Sequence, residues 1–397
     1  MTSSINSERT VVVSGAGVAG LAAAWWLARA GWRVVVVERA DDLRSGGYMM
    51  SLSGPGHLAA TRMGLMPKLK SAVYHVEENV YRDRKGREVM RLRFHDFIKG
   101  LDYIALRRTD LVAALHAELP EAVELRFGTT IDAVENALDG ATARLSDGTA
   151  ISADLVLFAD GMRSSLRPSI FAADAECLIP LGYRFAVYDL PDRLDLGIDF
   201  VSYAEPGHVV EYYTLTQGRV AALHVWHSQE SGPVPAADRW ALIGDVCRRS
   251  HPAVRAQIEA ARADGALALV DDLSLVELPR WSRGRVLLLG DAAHCLTLIS
   301  GQGAGMALTS AAILADELAR GDVPTALAAH EARLRPSIAR LQARSRKLAG
   351  VFVPRSPLAF EARNLFMRHV PRKWLGRYFL NSVNAEIAAA QDIAAAG

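Results

Sequence analysis

The feature that most constrains this chain is a glycine-rich segment between a predicted strand and a predicted helix. Gly15, Gly17 and Gly20 follow an apolar run at residues 10–13 and precede an alanine-rich stretch at 21–30. In such a loop Gly15 permits a tight turn, Gly17 lets the backbone approach a pyrophosphate, and Gly20 allows close packing of helix on strand. Unpaired amides at the helix start favour phosphate. The segment therefore predicts an α/β, Rossmann-like dinucleotide-binding unit.

A second apolar run at 33–37 ends at Glu38, about 20 residues beyond the glycines, where an acid binds ribose hydroxyls. A carboxylate there also disfavours a 2′-phosphate. A glycine-rich turn without a ligand is the alternative, but the ordered strand, loop, helix, strand and acid favour binding. The predicted contacts are Gly15, Gly17, Val18, Ala19, Gly20, Glu38 and Arg39.

Length and composition allow a large core and two domains. The chain has 397 residues, of which 50% are hydrophobic and 22% are charged. Its formal net charge of +1 gives no reason to expect a nucleic-acid partner. We therefore expect a small-molecule substrate, while the oligomeric state stays open.

The cysteines and the N-terminus indicate a cytoplasmic protein. Cys177, Cys247 and Cys295 are widely spaced, which matches neither a disulfide framework nor a zinc site, so no metal is predicted. Residues 1–9 are polar and lack the apolar core of a signal peptide. No apolar run in the sequence is long enough to span a membrane.

Periodicity gives a coarse order of elements along the chain. Alternation at 80–93 predicts a strand pair, and 182–227 predicts an aromatic-rich antiparallel sheet. We expect helices at 104–119, at 238–263 and beyond Gly303, with breaks at Pro324, Pro336, Pro354 and Pro357. Further strands are expected at 123–127, 141–145, 151–158 and 285–289.

Two further motifs follow apolar runs. Asp160-Gly161, with Ser164 and Arg167, comes directly after the run at 155–158. In isolation this stretch is equally consistent with a capped helix start. Gly290-Asp291 comes after the run at 285–289 and is followed by a second glycine pair and a helix: Gly301, Gln302, Gly303 and Ala304.

Over residues 9–345 these three ordered motifs resemble the group A flavoprotein monooxygenases, the para-hydroxybenzoate hydroxylase-like family. The resemblance implies that FAD binds at the glycine loop, at Asp160, at Asp291 and at residues 301–304. Arg44 matches the arginine after the ribose-binding acid. Arg108 matches the arginine of an Arg-x-Asp/Glu-Leu segment that reaches FAD, with Arg107 as a competitor and a surface position on an amphipathic helix as the alternative for either.

The resemblance also implies a reaction. NADPH or NADH would bind transiently and reduce FAD, and O2 would then form a flavin C4a-hydroperoxide. One oxygen atom would hydroxylate or epoxidise an aromatic or polyketide-like small molecule. The family resemblance also implies a role in specialised metabolism. The difficult chemistry belongs to the cofactor. A helix that begins near Gly303 would direct its positive end at the reduced, anionic flavin.

The implied fold has a discontinuous FAD-binding domain, an antiparallel-sheet substrate domain and a helical C-terminus. We expect the FAD-binding domain at 1–75, 101–175 and 278–330. The substrate-binding domain is expected at 76–100 and 176–277. Residues 331–397 would form the C-terminal helical segment.

Two departures from the family pattern keep another function open. The usual proline four residues after His294 is Leu298 here, and the usual glycine two residues before Asp160 is Phe158. A non-oxygenating flavin oxidoreductase, either a reductase or an oxidase, is therefore the alternative. A non-redox binding protein of this architecture is disfavoured by Glu38, Asp160 and Asp291.

Substrate contacts are expected on the antiparallel sheet and on the segment 46–52. His224 is the candidate catalytic base, because an imidazole can accept a phenol proton near neutral pH. Ordinary packing in the sheet is the competing interpretation for each position. The predicted contacts are Met50, Leu52, Tyr183, Phe185, Tyr212, His224 and Trp226.

Overall fold

In the computed structural model the described residues are 9–43, 48–74, 77–93, 102–194, 200–215 and 218–369. In chain order the strands of this part are β1 Thr10–Ser14, β2 Arg33–Val37, β3 Met49–Ser53, β4 Glu78–Arg82, β5 Glu88–Arg93, β6 Tyr103–Arg107, β7 Glu124–Arg126, β8 Ile131–Asn136, β9 Ala141–Leu145, β10 Ala150–Ala153, β11 Leu155–Phe158, β12 Leu178–Pro191, β13 Phe200–Glu205, β14 His208–Thr214, β15 Arg219–His227, β16 Leu269–Val276, β17 Ser282–Arg283 and β18 Val286–Leu288.

The α-helices of the same residues, also in chain order, are α1 Val18–Arg29, α2 Gly54–Arg62, α3 Met66–Ser71, α4 Arg108–Ala117, α5 Arg167–Ile170, α6 Asp174–Cys177, α7 Arg239–Val246, α8 Pro252–Ala263, α9 Asp291–His294, α10 Gly303–Arg320, α11 Val323–Phe352 and α12 Pro357–His369. None of these helices is both long and apolar enough to cross a membrane.

A six-stranded sheet carries the glycine loop. Its strand order is β17-β18-β11-β1-β2-β7, and its pairs are parallel except β17 with β18. The valines of β1 and β2 are buried without alternation, because helices cover both faces of a parallel sheet. Loops at the carboxyl ends of β1, β11 and β18 carry the three motifs, so the sheet gathers them at one edge.

A seven-stranded sheet forms the second layer, in the order β16-β12-β15-β14-β13-β4-β5. Only β13 and β4 pair in parallel. The antiparallel sheet expected at 182–227 and the strand pair expected at 80–93 are both present, and the pair extends the edge of this sheet. The α/β fold with a second, antiparallel sheet is thus confirmed.

The two faces of the seven-stranded sheet have different neighbours. Its inner face packs against Met49, Leu298 and Ile299 from the segments beside the glycine loop. Its outer face packs against α7 and α8. Side chains alternate along a strand, so Tyr213 of β14 points to the inner face and Tyr212 to the outer face. Any ligand shared with the six-stranded sheet must use the inner face.

Several sequence predictions differ from the structure. Residues 104–107 of the segment predicted as helical belong to β6, which pairs with β3. The helix starts only at Arg108, where the Arg107 amide donates to Asp110 Oδ2 at 3.2 Å. The helix predicted at 238–263 is two helices, because Pro252 begins the second. Strand β8 was not predicted.

Pro336 was predicted to break a helix, but it lies inside the continuous helix α11. A proline inside a helix costs about 3 kcal/mol. Leu334, Ile338 and Leu341 are buried on either side of it in the core around the six-stranded sheet, and their packing offsets that cost. The same helix also runs through residues 330 and 331, where a domain boundary was expected.

Candidate active site

The glycine loop is built for close approach. Gly15 has φ +103°, and a Cβ there would lie 2.6 Å from the Ala159 carbonyl oxygen. A Cβ on Gly20 would lie 1.9 Å from the Gly15 carbonyl oxygen, so neither position accepts a side chain. A Cβ on Gly17 meets only Arg108 Nη2, at 3.5 Å. The backbone at Gly17 therefore faces an open cleft.

Glu38 directly follows β2 beside this cleft. Its Oε2 accepts from the Ala16 amide at 2.9 Å and its Oε1 from the Ala40 amide at 3.0 Å. The carboxylate thus holds the loop in place at the edge where a ribose would lie. Val18 and Ala19 are buried at the start of α1, and Arg39 is exposed next to Glu38. Arg44 lies outside the described residues.

Two neighbouring arginines point to different partners. Arg108 places Nη2 near Gly17, and its charge acts on Asp291. Arg107 instead places Nη2 2.7 Å from Asp189 Oδ2 on β12. This geometry favours Arg108 over Arg107 as the arginine at the dinucleotide cleft, because only Arg108 faces both motifs.

The second motif joins the first to the third. Asp160 Oδ2 accepts from the Ser165 amide at 3.0 Å, whereas its buried Oδ1 has no partner among the described residues. Arg167 is fully buried and donates to the carbonyl oxygens of Ala292 at 3.1 Å and Met162 at 2.9 Å. A buried oxygen without a partner is costly, so Asp160 has the capacity to accept a ligand hydroxyl.

The third motif makes a tight turn onto α9. Gly290 has φ +62°, and a Cβ there would lie 2.7 Å from Ala19 Cβ at the glycine loop. Asp291 follows it and is exposed to the cleft. A Cβ on Gly303 would lie 3.8 Å from Asp291 Oδ1. The carboxylate therefore lies beside the N-terminus of α10, whose dipole favours negative charge.

The loop before α10 contacts β3. Gly301 has φ +66°, and its carbonyl oxygen accepts from Ser51 Oγ at 3.3 Å. Gln302 caps α10 and is almost fully buried, while Ala304 is half-buried in its first turn. The residues present fit an extended dinucleotide: an open backbone cradle at one end, two acids along the cleft and a helix N-terminus at the other end.

Three predicted substrate residues are on the wrong side of the sheet. Tyr212, His224 and Trp226 lie on the outer face, away from the cleft. Tyr188 OH lies 2.8 Å from His224 Nε2 and His208 Nε2 lies 3.2 Å from His224 Nδ1. Burial holds the pKa of His224 well below its usual value. The prediction of His224 as base at the flavin is therefore wrong.

Met50 and Leu52 were also expected to face the substrate. Both belong to the core under α10 instead, and a Cβ on Gly56 would lie 2.9 Å from Leu52 Cδ1. The alternation along β3 leaves Met49 to face the inner surface of the seven-stranded sheet. On β3 the side chain that faces the seven-stranded sheet is therefore Met49, one residue before the predicted Met50.

Tyr183 and Phe185 do lie on the inner face. Tyr183 OH donates to the Val353 carbonyl oxygen at 3.2 Å, which places it at the end of α11. Phe185 meets the ring of Tyr48 edge-on. Burial raises the pKa of Tyr48 to about 12, so it is a neutral phenol at pH 7 beside the cleft.

The inner face also carries polar residues, and sequence reasoning missed Asp189 among them. Asp189 on β12 pairs with Arg107, and both side chains are less than one quarter exposed. Tyr213 OH accepts from the Met49 amide at 2.7 Å. Arg107 was recognised only as an alternative to Arg108. No local pattern marked Asp189, because its partner Arg107 is 82 residues away along the chain.

Glu211 is the titratable residue of this face that best suits proton transfer. It lies two residues before Tyr213 on β14, and Tyr81 OH donates to its Oε1 at 3.3 Å. Burial raises its pKa to about 7, although hydrogen bonds from Tyr81 and Ser202 act in the opposite direction. A carboxyl group with this pKa can exchange a proton near neutral pH.

Two sequence families match the chain. The family described as FAD dependent oxidoreductase matches residues 10–53, which contain the glycine loop and Glu38. The family described as FAD binding domain matches residues 237–328, which contain the third motif. The matches agree with the two ends of the cleft described above, and FAD is the cofactor.

Known relatives cover most of the chain. A Mycobacterium tuberculosis protein described as uncharacterised is 32% identical over 79% of this chain and 86% of its own length. The 3-hydroxybenzoate 6-hydroxylase 1 of Aquipseudomonas alcaligenes is 30% identical over 79% of this chain and 81% of its own length. Klebsiella pneumoniae HpxO, solved with FAD and uric acid, has the same fold, with a TM-score of 0.80, 22% identity and coverage of 94% of this chain and 96% of its own. Together with the three motifs at one sheet edge, these relatives show that the chain belongs to the FAD-dependent aromatic monooxygenases of the group A flavoprotein family.

Proposed function

We propose that this protein uses NADPH or NADH and O2 to hydroxylate a small aromatic molecule that already carries a ring hydroxyl group. The observation that carries this proposal is Glu211, a carboxyl group with a pKa of about 7 on the largely aromatic and apolar inner face. The name of the 3-hydroxybenzoate 6-hydroxylase relative supports a substrate of this class.

FAD, when bound, supplies the redox chemistry that takes reducing equivalents from the nicotinamide and activates O2. In our proposal the backbone at Gly17 and the Arg108 guanidinium hold the pyrophosphate, Glu38 the ribose, and Asp160 and Asp291 the remaining hydroxyls. The six-stranded layer then forms the FAD-binding domain, and the seven-stranded sheet forms the substrate-binding domain.

The inner face determines what the substrate must look like. Phe185 and Tyr48 offer aromatic edges for a flat ring. Arg107 neutralises Asp189, so this pair does not repel an anionic ring substituent. Glu211 accepts the proton of the ring hydroxyl, and the resulting phenolate is the more electron-rich ring for oxygen attack.

A non-oxygenating oxidoreductase is the second candidate. Leu298 stands where the family has proline, and it begins a short turn directly after Thr297, whose φ of +66° is rare for a residue with a side chain. If this loop had an altered shape beside the flavin, water would enter the site. Oxygen would then be reduced and released without transfer to a substrate.

A paired substrate panel tests the proposal. In the methyl ether of a hydroxylated aromatic acid, a methyl group replaces the proton that Glu211 would accept. We expect the hydroxy compounds, and not the ethers, to accelerate NADPH or NADH consumption and to yield a dihydroxy product. Equal stimulation by both series would contradict the proposed role of Glu211, and hydrogen peroxide without product would favour the second candidate.

A further inference from the structure

A cluster of metal-ligating side chains lies on the outer face of the seven-stranded sheet. His208 of β14, His224 of β15 and Cys247 at the end of α7 are all buried. The distances are 3.2 Å from His208 Nε2 to His224 Nδ1, 3.5 Å from Cys247 Sγ to His224 Nδ1, and 4.0 Å from Cys247 Sγ to His208 Nε2. Three ligand atoms thus surround one point.

These separations suit tetrahedral zinc. With Zn–N bonds of about 2.0–2.1 Å and a Zn–S bond of about 2.3 Å, a tetrahedral centre puts two nitrogens about 3.3 Å apart and nitrogen and sulfur about 3.6 Å apart. The three measured distances each lie within half an ångström of these values. Two imidazoles and one thiolate are also the donor set that zinc prefers. We propose that His208, His224 and Cys247 bind Zn²⁺.

The outer nitrogens of both rings have partners of the kind that orient metal ligands. Glu205 Oε1 lies 3.2 Å from His208 Nδ1 and Tyr188 OH lies 2.8 Å from His224 Nε2. Oxygen acceptors at these positions fix the tautomer in a zinc-bound histidine. Both inner nitrogens then present lone pairs to the same point, and a cation satisfies them together. Ser250 donates to Glu205 and holds its carboxylate.

The cluster supplies three zinc ligands. Among the described residues no fourth His, Cys, Asp or Glu joins the group. A water molecule or another small ligand would complete the tetrahedron, as in zinc sites with three protein ligands. Binding transfers the Cys247 thiol proton to solvent, since zinc is held by the thiolate.

The site serves the fold rather than the flavin. It joins two neighbouring strands to the end of α7, whereas the FAD cleft meets the opposite face of the sheet. The ligands are separated by 16 and 23 residues along the chain, so zinc would close two loops of the substrate-binding layer. This inference is independent of the proposed hydroxylase activity.

Metal content of the FAD-bound protein tests the site. We expect about one zinc per chain in the wild type and less than one tenth of that in Cys247→Ser, since serine oxygen is a poor replacement for thiolate. Cys177→Ser is the matched control, because Cys177 is also buried and lies apart from the cluster. Zinc retained in Cys247→Ser at the control level would overturn the proposal.

A second measurement decides the question if Cys247→Ser does not fold. Wild-type protein is freed of metal with a chelator and titrated with Co²⁺, whose thiolate complexes absorb to the red of flavin. The bands are expected in the wild type, and Glu205→Gln should weaken Co²⁺ binding by roughly 10- to 100-fold, as for loss of a carboxylate that orients a histidine ligand. Absence of Co²⁺ bands from the stripped wild type would overturn the proposal.

Discussion

The Arg107 guanidinium lies 2.7 Å from the Asp189 carboxylate and joins the strand beside the FAD cleft to the seven-stranded sheet. The next residue, Arg108, points the other way, to Gly17. Of these two adjacent arginines, one therefore contacts the seven-stranded sheet and the other contacts the glycine loop. Each side can be perturbed without the other.

Alanine at these two positions should have separable effects. Arg108→Ala removes a charged contact worth about 1.5–3 kcal/mol, so FAD affinity should fall by roughly 10- to 100-fold. Arg107→Ala should retain FAD but lower the unfolding temperature and weaken substrate binding, since Asp189 loses its partner. Flavin fluorescence titration and substrate KM measure the two effects. Equal loss of FAD in both variants would refute the assignment.

Gly17→Val should yield protein without flavin. A side chain there fills the space in which the pyrophosphate approaches the backbone, next to Arg108 Nη2. The matched control is Gly244→Ala, where an added Cβ meets no atom within 4 Å. The ratio of flavin to protein absorbance after purification is the measurement. Full flavin content in Gly17→Val would place the cofactor elsewhere.

The activity of the wild type should rise with pH through about 7, because Glu211 must lose its proton to act as a base and its pKa is about 7. Glu211→Gln should lower kcat by roughly 10²–10⁴-fold and remove this limb of the pH profile. Tyr81→Phe should shift the limb to higher pH, because the Tyr81 hydrogen bond lowers the pKa of Glu211. An unchanged limb in both variants would exclude Glu211.

The same carboxyl group makes stability depend on pH. Its folded-state pKa is raised from 4.5 to about 7, so the folded protein binds this proton more tightly than the unfolded chain does. The contribution of this group to the free energy of unfolding is fully present below pH 4.5 and is lost as the pH rises through about 7, where the folded protein releases the proton. Glu211→Gln should therefore unfold at a higher temperature than the wild type at pH 8, with a smaller difference at pH 5. A lower unfolding temperature for the variant at pH 8 would contradict the raised pKa.

The glycine-loop motif was predictable from sequence because the residues that form it are close together in the chain. The roles of Gly15 and Gly20 follow from a strand, a turn and a helix within one short segment, and the structure shows the expected close contacts. Glu38 likewise directly follows the next strand. Three such segments in order were sufficient to predict the fold.

Positions that depend on which face of a sheet is covered were not predictable. Strand alternation correctly put His224 and Trp226 on one face, but nothing in the sequence said that this face packs against α7 and α8. Glu211 escaped notice because its partner Tyr81 is on a strand 130 residues earlier. The cluster of His208, His224 and Cys247 has no sequence spacing typical of a metal site.

Incorporation of isotopically labelled O2 tests the central claim most directly. Purified, FAD-containing protein is given NADPH or NADH and a hydroxylated aromatic acid under the labelled gas, and the product is examined by mass spectrometry. We expect one labelled oxygen atom in the product, with consumption of the nicotinamide in step with product. Flavin that turns over while the aromatic compound remains unlabelled and unchanged would contradict the monooxygenase account for this substrate class.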